Sequence, residues 1–208
     1  MENQTTQGHW ETVYTLKKPT EVSWFQEKPT TSLEFLTQYK VSKSARIIDI
    51  GGGDSHFVDF LLNDGYQNIT VLDISAAALE KAKARLGNRA DEVHWVVSDI
   101  TAFEPAEKFD FWHDRAAFHF LTTDEQIEKY LDIARQAVSP EGIVTVGTFS
   151  ENGPTKCSGL DIRQYSETTM SDRFSQGFSK IRCIIEDHLT PFKTVQNFVF
   201  CAFRRVAN

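Results

Sequence analysis

No long apolar run occurs in the 208 residues, nothing near the ~18–20 apolar residues that cross a bilayer. A membrane-spanning protein is therefore not expected. Positive charge is also in short supply, with 22 Lys and Arg against 29 Asp and Glu and a net charge of -7. A protein that grips a nucleic-acid backbone wants a basic face, so nucleic acid is not the expected partner. Cysteine is scarce as well: the three, at 157, 183 and 201, are odd in number and widely spaced. They give neither a disulfide framework nor a Cys-x-x-Cys metal spacing. The opening MENQTTQGHWE lacks a basic end followed by an apolar stretch, so no secretory signal is read there, and a reducing cytoplasm is the expected compartment. Internal repeats and low-complexity tracts are absent.

What remains has an ordinary composition, 40% hydrophobic and 25% charged. The length suits one domain with an added segment. From residue 45 the chain alternates between strand and helix signals. The runs ARIIDI, ITVL (69–72), VHWVV (93–97), FDFWH (109–113) and IVTVGTF (143–149) read as buried strands. Between them lie helical stretches: SHFVDFLLNDGY, stopped by Gly65, and SAAALEKAKARLG, with Ser75 as N-cap and Gly87 as stop. A third helix begins at a Thr123/Gln126 capping box. It shows Ile127, Tyr130, Leu131, Ala134 and Val138 on one face and ends before Pro140. After a loop at SENGPTKCSG come one or two short helices in DIRQYSETTMSDRFSQG. Two strand-like runs, KIRCIIEDHL and TVQNFVFCAFRR, then flank a turn at 190–193 too short for anything but an antiparallel hairpin. The first 40 residues form an aromatic-rich extension with one predicted helix, SLEFLTQY. The expected fold is a three-layer α/β/α sandwich built on a mostly parallel, Rossmann-like sheet ending in the hairpin. Right-handed crossovers put a ligand site at the carboxyl ends of the strands.

The first strand runs into a turn, IIDIGGGDS. A strand, a glycine turn and a helix together offer backbone N–H groups to a ligand. The dinucleotide fingerprint needs glycine at position 56, where His56 stands, and no Gly-Lys-Ser/Thr follows to make a P-loop. The pattern that fits is D-x-G-x-G-x-S, from Asp49, Gly51, Gly53 and Ser55.

At these residues the chain resembles the class I S-adenosylmethionine-dependent methyltransferases, in particular compact single-domain bacterial members. The resemblance covers residues 45–150 well, and the terminal hairpin is also typical of the family. It implies a seven-stranded sheet and S-adenosylmethionine as cofactor, leaving S-adenosylhomocysteine as product. It implies that Asp49, Gly51, Gly52, Gly53 and Ser55 cradle the methionine and ribose, the glycines because a Cβ would meet the cofactor. Asp73, ending TVLDIS, would accept from the ribose diol, since a carboxylate has the two oxygens a diol needs. Ile74 would lie on the adenine, and Asp99 with Ile100 would meet its amino group. His113, Asp114 and Arg115 in KFDFWHDRAAFHFL would border the sulfonium and the acceptor.

Methyl transfer from a sulfonium leans on positioning and water exclusion, and needs a protein base only for an acceptor that arrives protonated. His113, Asp114 and His119 are the candidate catalytic residues. No metal is expected, because a strand followed by a helix turns these side chains apart, and the Asp-Asn pair of the magnesium-dependent catechol branch is not found. Tyr14, Trp24 and Gln26 are candidates to close residues 1–40 over the site as a lid on the methyltransferase domain, 41–208. Packing of that segment on the sheet edge is the competing reading. Lys156 and Cys157, after the fifth strand, are candidates to touch the acceptor. One loop cysteine does not make an arsenite site, which takes several. The acidic balance and the lack of a substrate lobe favour a small-molecule acceptor. A protein lysine methyltransferase is the alternative, and a cofactor-binding protein without catalysis is a third reading. The Asn-Pro-Pro-Tyr motif of amide and adenine N-methyltransferases is absent. Oligomeric state is not legible.

Overall fold

A computed structural model describes residues 5–206. Residues 1–4 of the expected N-terminal extension and residues 207–208 lie outside the described residues. Two helices come first, α1 (Thr6–Leu16) and α2 (Thr30–Gln38). The alternating part follows as β1 (Arg46–Ile50), α3 (Phe57–Asn63), β2 (Asn68–Asp73), α4 (Ala76–Leu86), β3 (Val93–Val97), β4 (Phe109–Arg115), α5 (Asp124–Ala137) and β5 (Val138–Phe149). A two-stranded ribbon, β6 (Lys156–Cys157) and β7 (Leu160–Asp161), precedes α6 (Glu167–Phe174) and the hairpin β8 (Phe178–Leu189) and β9 (Val195–Arg205).

Seven strands form one sheet in the order β3-β2-β1-β4-β5-β9-β8. Five run parallel, and β9 is inserted antiparallel between β5 and the edge strand β8. The expected sandwich and hairpin are therefore present. One face of the sheet is covered by apolar residues of α2, α3 and α4, among them Phe35, Phe57, Leu61 and Leu79, around Ile47, Phe111, Phe198 and Phe200. The other face is covered by α5 and α6, where Ile127, Leu131, Met170 and Phe174 meet Trp112, Val144 and Phe203. Burying both faces is what selects near-continuous apolar strands rather than alternating ones.

The local signals perform as the physics requires. Ser75 Oγ accepts from Ala78 N–H at 3.2 Å, and Thr123 and Gln126 form the reciprocal capping box. Gly87 ends α4 at φ +58°, a conformation that costs little only without a Cβ. Three boundaries differ from expectation. Val138 is buried on the predicted face but already belongs to β5, which begins five residues before the predicted strand. The loop after β5 pairs with itself across Ser158 and Gly159, both at positive φ, to make the β6–β7 ribbon. Residues 6–16, read as extension without helix, form α1.

Cys183 and Cys201 are disulfide-bonded, against the expectation of three unpaired thiols. They are separated by 18 positions, a spacing that carries no signal, and become opposite only through the β8–β9 register. Cys157 is free and buried. No described helix is long and apolar enough to cross a membrane.

Candidate active site

The carboxyl ends of β1, β2, β3 and β4 open into a cleft with two lobes, of about 680 and 910 Å³ counting their mouths. Tyr14, Trp24, Gly51 and Arg115 line both lobes, which therefore adjoin. The first lobe adds Gln26, Asp49, Gly52, Ser55 and His113; the second adds Asp73, Ile74, Asp99, Ile100 and Cys157. Fourteen of the residues singled out in the sequence thus meet at these lobes: these ten with Tyr14, Trp24, Gly51 and Arg115.

The glycine turn is held from below, where Gly51 and Gly52 N–H both donate to Leu72 O, at 2.8 and 3.2 Å. Its glycines are required by the protein itself as well as by any ligand. A Cβ on Gly51, at φ +65°, would lie 2.6 Å from Ala117 Cβ. One on Gly52 would lie 2.6 Å from Asp49 Oδ2, and one on Gly53 2.9 Å from the Tyr14 hydroxyl and 3.0 Å from Asp73 Oδ2. Ser55 Oγ accepts from Phe57 N–H at 3.1 Å and so starts α3. Arg85, which no motif announced, ties the turn to α4 through Asp54, Asp59 and Ser55 O.

Asp73 ends β2 and is buried, with Oδ1 accepting from Ser75 N–H at 2.8 Å. Burial, helped by the nearby charges of Asp49 and Glu11, pushes its carboxyl up to about 7, against the pull of the Ser75 and Gly53 N–H groups. Asp99 is exposed at the far lobe and accepts from Thr101 N–H and hydroxyl at 2.8 Å each. Ile74 and Ile100 stand beside these acids as the apolar walls of that lobe.

The three candidate catalytic residues are not loose groups at the cleft. His113 Nδ1 donates to Asp49 Oδ1 at 2.6 Å, and its Nε2 meets Ser32 Oγ at 2.8 Å, so both ring nitrogens are engaged. Asp114 faces the opposite side of the sheet, away from the cleft lining. Its Oδ1 accepts from Ala117 and Phe118 N–H at 3.1 and 3.0 Å, and its Oδ2 from the Tyr130 hydroxyl at 3.0 Å. Burial raises that carboxyl to about 6. Alternation along β4 is the reason: His113 and Arg115 point one way, Trp112 and Asp114 the other. His119 is fully buried outside the cleft lining, with Nδ1 accepting weakly from Phe149 N–H at 3.4 Å. Burial, and then the Arg115 charge, lower it to about 3. As candidate bases, Asp114 and His119 are corrected by this geometry. Lys156 is corrected too: it stands exposed in an ion pair with Asp161 at 2.9 Å and does not line the cleft. Cys157 does line it, with its thiol pushed up to about 12 by burial.

Above the cleft, α1 and residues 22–27 close the space. Trp10 packs edge-on against Trp24 and Phe120, with ring centroids 5.6 and 5.1 Å apart, and Tyr14 hangs over Gly53. The Glu11 carboxylate accepts from Ala76 N–H (2.6 Å) and Ala77 N–H (3.0 Å), the free donors that open α4. Trp24 O accepts from Arg115 Nη1 at 2.9 Å, and Ser23 O from His188 Nε2 at 2.8 Å. Glu11 and Ser32 were not marked in the sequence, since neither belongs to a motif, and Trp10 and Phe120 lie in aromatic segments without having been singled out as site residues. A glycine turn and acids ending β2 and β3, on a sheet of this order, define a Rossmann-like nucleoside-cofactor fold of the methyltransferase kind.

Comparison with known proteins agrees. Residues 47–142 match the family model described as a methyltransferase domain, which supports a class I S-adenosylmethionine-dependent methyltransferase. It is 32% identical over 157 residues to a malonyl-[acyl-carrier protein] O-methyltransferase of Anoxybacillus flavithermus, covering 69% of this chain and 60% of that one. It is 23% identical over 190 residues to EEF1A lysine methyltransferase 2 of Mus musculus, covering 83% and 71%. The chain spans less than two thirds of the length of the first curated relatives it matches. In fold it is similar, at TM-score 0.80 and 18% identity over 98% of this chain and 93% of the other, to a structure described under the conversion of a disulfide bond into a thioacetal group during echinomycin biosynthesis.

Proposed function

We propose that the protein transfers a methyl group from S-adenosylmethionine to a small-molecule acceptor, with residues 1–40 acting as a lid on the catalytic domain, 41–208. The observation that carries this reading is the pair of adjoining lobes at which Asp49, Gly51, Asp73 and Asp99 meet under α1, with Gly53 packed against Tyr14 and Asp73. The residues fit the cofactor on chemical grounds. Asp73 offers a buried carboxylate to a diol, Ile74 and Ile100 offer an apolar slot to a flat base, and Asp49 offers negative charge to an ammonium. When bound, the cofactor supplies an electrophilic methyl on a sulfonium. In this reading Gly51, Gly52, Gly53, Ser55 and His113 shape the methionine lobe. Tyr14, Trp24 and Gln26 exclude water above it, and Cys157 walls the acceptor side. Positioning and dryness then carry the catalysis.

The closed roof of α1 and residues 22–27 supports a small acceptor over a folded protein, which would need an open approach. Likeness to EEF1A lysine methyltransferase 2 along most of the chain supports the second reading, a protein lysine acceptor.

Calorimetry with S-adenosylmethionine and with NAD tests the cofactor: micromolar binding of the first and none of the second is expected, and tighter NAD binding would overturn the reading. Transfer of tritiated methyl into a metabolite pool, against transfer into a protein extract, tests the acceptor. Label confined to protein would move the conclusion to the lysine reading.

A further inference from the structure

Arg115 ends β4 at the junction of the two lobes, followed by Ala116 at φ +65°, a backbone geometry that a non-glycine residue adopts at a cost. Its guanidinium is served on one side only. Nη1 donates to Trp24 O, while Nε and Nη2 are shielded from solvent with no hydrogen-bond partner. Among the described residues no carboxylate forms an ion pair with it. Asp49 is engaged by His113, and Glu186 accepts from the Thr31 hydroxyl. The Phe198 ring lies 5.0 Å from the guanidinium carbon. Glu186 and Asp49 are near enough to act on its charge but neither reaches it, so two shielded donors are left without an acceptor, a costly arrangement that a carboxylate at the cleft would relieve. Burial lowers this group only to about 10, which leaves it charged at neutral pH.

A second, separate observation concerns bases. His113 has both nitrogens bonded, Asp114 has both oxygens bonded beyond the sheet, and His119 lies outside the cleft lining. The Cys157 thiol is held protonated. None of these four is free to take a proton from an ammonium, a thiol or an alcohol, and in the cofactor reading Asp73 and Asp99 are occupied by the ribose and the adenine.

We propose that the acceptor is an organic carboxylate, paired with Arg115 through one oxygen and methylated on the other to give a methyl ester. This rests on the methyltransferase reading above and names its substrate class. The carboxylate oxygen supplies the electron pair for the new C–O bond. The C–S bond breaks onto sulfur, leaving a neutral thioether, and the negative and positive charges cancel with no proton moved. The planar fork of an arginine suits a carboxylate. A fixed cation at the same point repels an ammonium, which separates this acceptor from a lysine side chain.

The aromatic walls of Trp10, Trp24 and Phe120 suggest a phenyl probe. Calorimetry on the protein saturated with S-adenosylhomocysteine is expected to show phenylacetate binding at least tenfold more tightly than phenylacetamide, and no binding of phenethylamine. Arg115→Gln is expected to reduce phenylacetate affinity at least tenfold more than it reduces S-adenosylhomocysteine affinity, with Arg115→Lys falling between. Equal losses would assign Arg115 to the cofactor, and a wild type indifferent to the probe's charge would also overturn the proposal. Failure of wild type to bind S-adenosylhomocysteine would instead remove the reading beneath it. Should Arg115 variants not fold, the product decides: tritiated methyl transferred into a metabolite extract must be released by mild alkali as volatile methanol. Alkali-stable label overturns the carboxylate.

Discussion

Asp73 shows what a buried carboxyl at a cleft does to the fold that carries it. Its carboxyl is raised by burial to about 7, against an ordinary value near ~3.9. A carboxyl whose folded value lies above its unfolded one binds its proton more tightly when folded. Its contribution to stability is therefore full below about pH 4 and is lost as the pH rises through about 7. Asp114, raised to about 6, acts in the same direction. Asp73→Asn is expected to raise Tm at pH 8 by a few degrees, with little change at pH 4.5, while S-adenosylmethionine affinity at pH 8 falls tenfold or more. Scanning calorimetry at the two pH values and a titration of the cofactor check both halves. An unchanged affinity would remove Asp73 from the cofactor site. Wild-type affinity for the cofactor is expected to climb between pH 6 and 8, because the ribose hydroxyls donate best to the charged carboxylate. Gly52 makes the complementary point. Its Cβ would meet Asp49 Oδ2 at 2.6 Å and Val71 Cγ1 at 2.7 Å, both part of the packed floor. Gly52→Ala is expected to cost about 1–3 kcal/mol in urea unfolding.

Element by element, the strands and capped helices were legible and α1 was not. Ser75, Thr123 with Gln126, and Gly87 are local devices whose effect does not depend on the rest of the chain. The stretch TQGHWETVYTL has no such clarity, with Gly8 and β-branched residues lowering its helix preference. Its helix is made by distant partners: Trp24 and Phe120 against Trp10, and α4 against Glu11. For the same reason the individual site side chains were only half legible. Motif position singled out Asp49, Asp73 and Arg115, which line the cleft, but the strand alternation that turns Asp114 away, and the burial of His119 outside the lining, depend on the packed sheet. The Glu11 latch gives the lid reading its test. Capping and dipole contacts of this kind are worth about 1 kcal/mol, and loss of that much speeds release about fivefold. Glu11→Ala is expected to quicken S-adenosylhomocysteine dissociation by that factor and to raise hydrogen exchange in residues 6–16. No change in either would make α1 a fixed part of the wall.

The whole molecule is a parallel sheet finished by an antiparallel hairpin, and the way that finish is secured could not be read in advance. The alternation of strands and helices led to the sheet order through general rules of handedness and burial. Pairing register is different, because it is set by contacts across the sheet. The Lys180/Arg182 irregularity in β8 shifts the pairing by one residue and brings Cys183 opposite Cys201, with Cα atoms 4.1 Å apart. A link across a loop of this length removes conformational freedom from the unfolded chain worth about 3 kcal/mol. It fastens β8, the edge strand that His188 and Glu186 tie to Ser23 and Thr31 of the N-terminal segment, to β9 beside it. Protein unfolded without reductant is therefore expected to titrate as one thiol, Cys157, and as three after reduction. Urea unfolding with reductant should fall about 2–3 kcal/mol below unfolding without it. Because Ser23 and Thr31 bond to that hairpin, reduction should also loosen the exchange protection of residues 22–32 more than that of β1. Three thiols before reduction would show that the strands are held by packing and hydrogen bonds alone.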